Sequence, residues 1–139
     1  MLDKKDFLRD LVENVYCRIG VSKIHGIGIF AVRDIPAEVN PFIGLNPKAE
    51  SYEIRISVDE IKLNPDISEE VKKMVDDFYA KENGEYIFPP FGLNEMPISF
   101  FSNYSSNPNI ALQPNDRFLT LHEIKAGEEL TSDYKTFSN

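Results

Sequence analysis

Gly127-Glu128-Glu129-Leu130-Thr131-Ser132-Asp133-Tyr134 is the stretch on which the reading turns. Its glycine and acidic pair make Ala126-Gly127-Glu128-Glu129 a turn, and Glu129-Leu130-Thr131 opens a short strand. Taken alone, Tyr134 reads as a tyrosine that packs near the end of the sequence.

Two earlier segments change its weight. Phe100-Phe101-Ser102-Asn103-Tyr104-Ser105-Ser106-Asn107-Pro108-Asn109 holds three asparagines and three serines in ten residues, more than a simple turn needs. Such side chains fix loops through local hydrogen bonds or present donors to a ligand, and the residues alone leave both open. Gly26-Ile27-Gly28 lets a ligand approach the backbone closely. It lacks the third glycine and the following helix of a dinucleotide fingerprint, so by itself it is a glycine-punctuated hairpin.

The rest of the chain supplies the frame. Asp3 to Asn14 carries Phe7, Leu8, Leu11 and Val12 on one helical face, a short N-terminal helix expected to pack on the domain. Val15–Val21 and His25–Val32 read as paired strands, and Tyr52–Val58 as another. Residues 40 to 50 are loop and turns. Ser68 to Lys81 is the clearest helix, with Ser68 as N-cap, Val71, Met74, Val75 and Phe78 in one stripe, and Gly84 as its stop. From Glu85 to Pro114 short aromatic runs are broken by prolines and glycine. Arg117–Leu121 is a strand. The sum is a mostly-β domain of short strands with one inserted helix.

Composition narrows the function. A chain of 139 residues with 42% hydrophobic residues suits one domain with a packed core. No apolar run approaches the roughly 20 residues of a membrane span, and the N-terminus lacks a signal-peptide core. An intracellular protein, cytoplasmic or nuclear, is expected. One cysteine, Cys17, and two distant histidines, His25 and His122, give no disulfide framework and no metal-ligand set. The net charge of -8 argues against direct nucleic-acid binding and suits a basic protein or peptide partner.

In order and content the three segments resemble the SET-domain family of lysine methyltransferases. Gly26-Ile27-Gly28, followed by Arg33-Asp34-Ile35-Pro36, is similar to the family's early glycine segment and the stretch after it. Asn103–Asn109 is similar to its asparagine-histidine-serine and asparagine-proline-asparagine segment. Gly127–Tyr134 is similar to its glycine-glutamate-glutamate-leucine and aspartate-tyrosine segment. The resemblance spans Val15 to Tyr134. It implies a β-clip or SET fold: several short curved sheets, a pseudoknot where the last two motifs cross, one inserted helix and a short N-terminal helix. A single domain over 1–139 is expected, with a helix at 1–14, the core at 15–134, a helical insert at 59–84 and a short tail at 135–139.

The resemblance also implies the chemistry. S-adenosylmethionine would be the methyl donor and a protein lysine, on a histone or another basic protein, the acceptor. Tyr134 matches the catalytic tyrosine. His25, Gly26, Ile27, Gly28, Asn103 and Tyr104 would bind the cofactor, with Phe137 folded over its adenine. Tyr86, Phe100, Phe101 and Ser132 are candidates for the lysine channel. No metal is expected.

Three departures matter. Tyr104 stands where the family has histidine, which bears on activity more than on fold. Ser132 stands where an aromatic residue is common, so the pocket is expected to accept di- or trimethylated lysine unless Tyr104 or Phe101 fills the gap. Only five residues follow Tyr134 in the sequence, too few for a cysteine-rich closing tail, so Phe137, the N-terminal helix or a second copy would close the channel and a homodimer is favoured. Two other readings remain: a SET-fold interaction module without turnover, and a β-clip structural domain with no small-molecule site.

Overall fold

The alternation of Cys17–Val21 and the apolar run Ile27–Ala31 become adjacent strands in register, with Ile19 opposite Ile29 and Gly20 opposite Gly28. A computed structural model describes residues 1–45, 52–114 and 117–133. In chain order the elements are α1 (Lys4–Glu13), β1 (Cys17–Val21), β2 (Ile27–Ala31), β3 (Ile54–Ser57), α2 (Val58–Lys62), α3 (Glu69–Phe78), β4 (Ala80–Glu82), β5 (Glu85–Phe88), β6 (Asn103–Tyr104), β7 (Ile110–Leu112), β8 (Phe118–Thr120) and β9 (Glu129–Ser132). The fold is mostly short strands in several small sheets. None of the described helices is long and apolar enough to cross a membrane.

The described residues fall into two compact units. The first comprises residues 1–45 and 97–133, and the second residues 52–96.

The first unit is built on a four-stranded sheet of order β1-β2-β9-β6. β9 pairs antiparallel with β2 and parallel with β6, where Asn103 faces Thr131 and Tyr104 faces Ser132. Alternation gives the sheet two different faces. Ile29, Ala31 and Leu130 point into a core completed by Ile35, Ile110 and Ile124. Each fully buried aliphatic side chain there stabilises the fold by roughly 1.5–3 kcal/mol. Gly28, Phe30 and Glu129 belong to the opposite face. β7 and β8 form a hairpin in which Thr120, 1% exposed, donates through Oγ1 to Pro36 O at 2.7 Å and accepts from Val39 N at 3.0 Å.

α1 is capped at both ends. Asp3 and Asp6 exchange side-chain-to-backbone hydrogen bonds at 2.9 and 3.0 Å, a capping box. The last turn has no basic residue of its own. Arg33 supplies the cation instead, donating to Val12 O at 2.9 Å and Glu13 O at 3.1 Å with its guanidinium 4.1 Å from the Tyr16 ring centroid. The apolar stripe expected to pack on the domain does not do so: Phe7, Leu8, Leu11 and Val12 are 52–69% exposed. The helix is tied to the unit at its C-terminal end by Arg33 rather than by its apolar face.

The second unit corrects the expected helix over 68–81. α3 ends at Phe78, and Ala80–Glu82 is a strand that turns through Asn83-Gly84 into β5. Both turn residues have positive φ, 52° and 77°, as a two-residue hairpin requires. Gly84, expected as the helix stop, is the second residue of an Asn-Gly hairpin turn. Ser57 and Ser68 cap α2 and α3 by accepting from Glu60 N at 3.1 Å and Val71 N at 3.3 Å. Ile61, Val75, Tyr79 and Tyr86 are buried, and the Tyr79 and Phe88 rings lie 4.6 Å apart.

Candidate functional site

The polar face of the first unit's sheet is assembled from three distant stretches. Ser22 N donates to Gly26 O at 2.8 Å, and Ser22 Oγ accepts from Ile24 N at 2.9 Å and His25 N at 3.3 Å. These bonds close a tight turn whose Gly26 sits at φ 48°. Asn103 reaches this turn across 78 residues of sequence, its Nδ2 donating to His25 O at 3.0 Å and Ile27 O at 3.2 Å. It also donates to Glu129 Oε2 at 2.9 Å.

Gly28 has a specific reason to be glycine. A Cβ there would stand 2.8 Å from Glu129 Cδ, closer still to Oε2, and 3.1 Å from Asn103 Nδ2. The missing side chain is what lets the carboxylate and the amide meet over the strand.

The crossing of 102–109 with 129–132 is fastened twice. Ser105 N donates to Ser132 O, and Asn109 N to Thr131 O, both at 3.1 Å. Asn109 Nδ2 donates to Glu129 O at 2.9 Å while Asn109 Oδ1 accepts from Thr131 N at 2.8 Å. Asn109 is 8% exposed, so these buried groups are satisfied within the protein.

His25, Gly26, Ile27, Gly28, Asn103 and Tyr104 therefore lie together on one unit, with Ser132 beside Tyr104 in the ladder. Ser132 is 0% exposed and its Oγ lies 2.9 Å from Ser102 Oγ. Phe100 and Phe101 end the short 3₁₀ turn Ile98–Phe101, and Phe101 packs against the core. Tyr86 belongs to the second unit, fully buried, with its hydroxyl donating to Asp76. Burial first, then Asp76, pushes that phenol upward from its ordinary range. Tyr134 and Phe137 lie outside the described residues.

Two participants escaped the sequence reading: Glu129 and Ser22. The sequence places Glu129 at the junction of a turn and a short strand without giving its side chain a role. Its alternation with the inward Leu130 puts it on the polar face, a signal that was readable.

The donor and acceptor set has a definite chemical preference. Two backbone carbonyls, each with a second lone pair, stand beside a carboxylate at a glycine turn. Such a surface suits a cationic, hydrogen-bond-donating ligand and disfavours a phosphate.

The SET domain family model matches residues 26–135. No curated protein matches the chain significantly. A crystal structure of a Plasmodium falciparum protein, described as a candidate histone methyltransferase, is similar to it with a TM-score of 0.51 and 16% identity, over 87% of this chain and 94% of that one. At that identity the likeness concerns the fold. With the family model covering the glycine turn, the asparagine segment and the last strand, the chain belongs to the SET-domain family.

Proposed function

We propose that this chain transfers a methyl group from S-adenosylmethionine to the side-chain amine of a lysine in a basic protein or peptide. The observation that carries the reading is the meeting of Asn103 Nδ2 with the carbonyls of His25 and Ile27. Two motifs far apart in sequence become one acceptor-lined surface.

In this reading the turn at 25–28 and Asn103, with the backbone of Tyr104, hold the cofactor, and Phe137 covers its adenine. The cofactor, when bound, supplies a methyl group already activated on sulfonium. The protein's task is then geometric. It must align an amine with that carbon and exclude water, which supplies much of the rate gain. Phe100, Phe101 and Ser132 line the amine's approach. An apolar channel lowers the lysine pKa so that the neutral amine is present. Tyr134 Oη orients the nitrogen.

Tyr104, where the family has histidine, favours a second reading: an interaction module that binds the cofactor or a partner without turnover. Calorimetric titration with S-adenosylmethionine, followed by labelled transfer to histones and cell lysate, separates the two. Binding and transfer that Tyr134→Phe abolishes support the enzyme. Binding without transfer supports the module, and absence of binding overturns both.

A further inference from the structure

We infer that Glu129 is the positioning residue of this site, holding Asn103 and the 22–28 turn in the geometry that receives the cofactor; the inference rests on the cofactor reading above. Both carboxylate oxygens are engaged. Ser22 Oγ donates to Oε1 at 2.8 Å and lies 3.0 Å from Oε2, which also accepts from Asn103 Nδ2 at 2.9 Å. Ser22 Oγ in turn accepts from the backbone N–H groups of Ile24 and His25. One carboxylate thus governs the turn through a serine and the asparagine directly.

The charge matters as well as the shape. The two hydrogens of Asn103 Nδ2 face three acceptors, His25 O, Ile27 O and Glu129 Oε2. That arrangement fixes which way the amide is turned, and Oδ1 points away from the three. An ionised acceptor makes the strongest of such bonds. A glutamine at 129 could present an amide N–H instead, and Asn103 would then turn over to offer its oxygen. Gly28 marks the site as built for the carboxylate, since any side chain there would displace it.

The test uses Glu129→Gln, Ser22→Ala and, as a charge control, Glu128→Gln. Among the described residues the Glu128 carboxylate accepts from Lys125 N, within its own turn. The measurements are the NMR signal of the Asn103 side-chain amide, the affinity for S-adenosylhomocysteine and the urea midpoint. Glu129→Gln shifts the Asn103 amide signal and weakens binding roughly ten- to hundred-fold, the range for loss of a charge-assisted hydrogen bond. In turnover it raises the cofactor KM and leaves kcat at saturation within about twofold, as expected for lost uniform binding. Ser22→Ala has the same effects in smaller measure, and Glu128→Gln leaves all three readings at wild type. An unmoved Asn103 signal with unchanged affinity in Glu129→Gln overturns the inference. Should Glu129→Gln fail to fold, Ser22→Ala decides by the same two readings. If the wild-type chain binds no S-adenosylhomocysteine, the cofactor reading fails, and the positioning role stands or falls on the Asn103 signal alone.

Discussion

Asn109 and Thr131 are joined in both directions: Asn109 N donates to Thr131 O at 3.1 Å, and Thr131 N donates to Asn109 Oδ1 at 2.8 Å. The side chain of one residue completes a ladder that its backbone begins. Replacing Asn109 with leucine leaves Thr131 N and Glu129 O buried and unpaired. Each orphan costs about 1–3 kcal/mol, so a loss of about 2–6 kcal/mol is expected in urea unfolding. A loss under about 0.5 kcal/mol would show that water replaces the amide.

Gly28→Ala pushes a methyl against Glu129 and Asn103. The variant should lose about 1–3 kcal/mol of stability, the usual cost of overpacking. Removing the obstacle tests the cause. In Gly28→Ala with Glu129→Ala the penalty for the added methyl should shrink by more than half, a non-additivity that a double-mutant cycle reads directly.

Cys17 should be an unreactive thiol. Burial pushes it up to about 12, against roughly 8.5 for a free cysteine. It lines an apolar hollow of about 230 Å³ with Tyr16, Phe42 and Ile98. At pH 8 native protein should be alkylated by iodoacetamide at least about a hundred-fold more slowly than urea-unfolded protein, by mass spectrometry. Equal rates would mean that the start of β1 opens readily.

Acid should loosen the second unit through Asp76. Its carboxyl accepts from Lys62, from Tyr86 Oη and from Lys81 Nζ, the last at 3.2 Å. The Lys62 bond first, then that of Tyr86, holds it well below the usual carboxylate range. A depressed folded value means that this stabilisation is present above the unfolded pKa of about 3.9 and is lost as pH falls below it. The side chains are about one-third exposed, so solvent weakens the effect. Asp76→Asn should cost about 1 kcal/mol at pH 7 and flatten the decline in urea midpoint below about pH 4. An unchanged acid slope would count against it.

Polar substitutions on α1 should be nearly silent. Phe7 and Leu11 are 54% and 64% exposed. Phe7→Ser with Leu11→Ser should shift stability by no more than about 0.5–1 kcal/mol in dilute solution. A loss beyond about 2 kcal/mol would reveal a covering surface that this fold does not supply.

The legible parts were those with local signals. Ser68 and its stripe announced α3, alternation announced β1 and β3, and the Gly127 turn announced the start of β9. Asn83-Gly84 misled because a glycine after a helix has two meanings, and a three-residue strand has too few residues to show alternation. β6 and β7 were invisible for the same reason, and β6 finds its partner, β9, 28 residues away in sequence, Asn103 opposite Thr131. The resemblance gathered Asn103 and Gly28 into one site. Glu129 was overlooked because its importance lies in a contact with Ser22, 107 residues distant. The exposed face of α1 could not be foreseen, since an amphipathic pattern states a preference for burial without supplying a neighbour.

That last separation has a consequence for synthesis. A ribosome adding about 5–20 residues per second needs roughly 5–20 s to travel from Ser22 to Glu129. Throughout that interval the glycine turn exists without the carboxylate that ties it down. Assembly of the polar face is therefore governed by closure of a long loop rather than by local propensity. Any truncated product that stops short of β9 would carry the hairpin of β1 and β2 with its inner face uncovered, a natural substrate for chaperones and quality-control proteases.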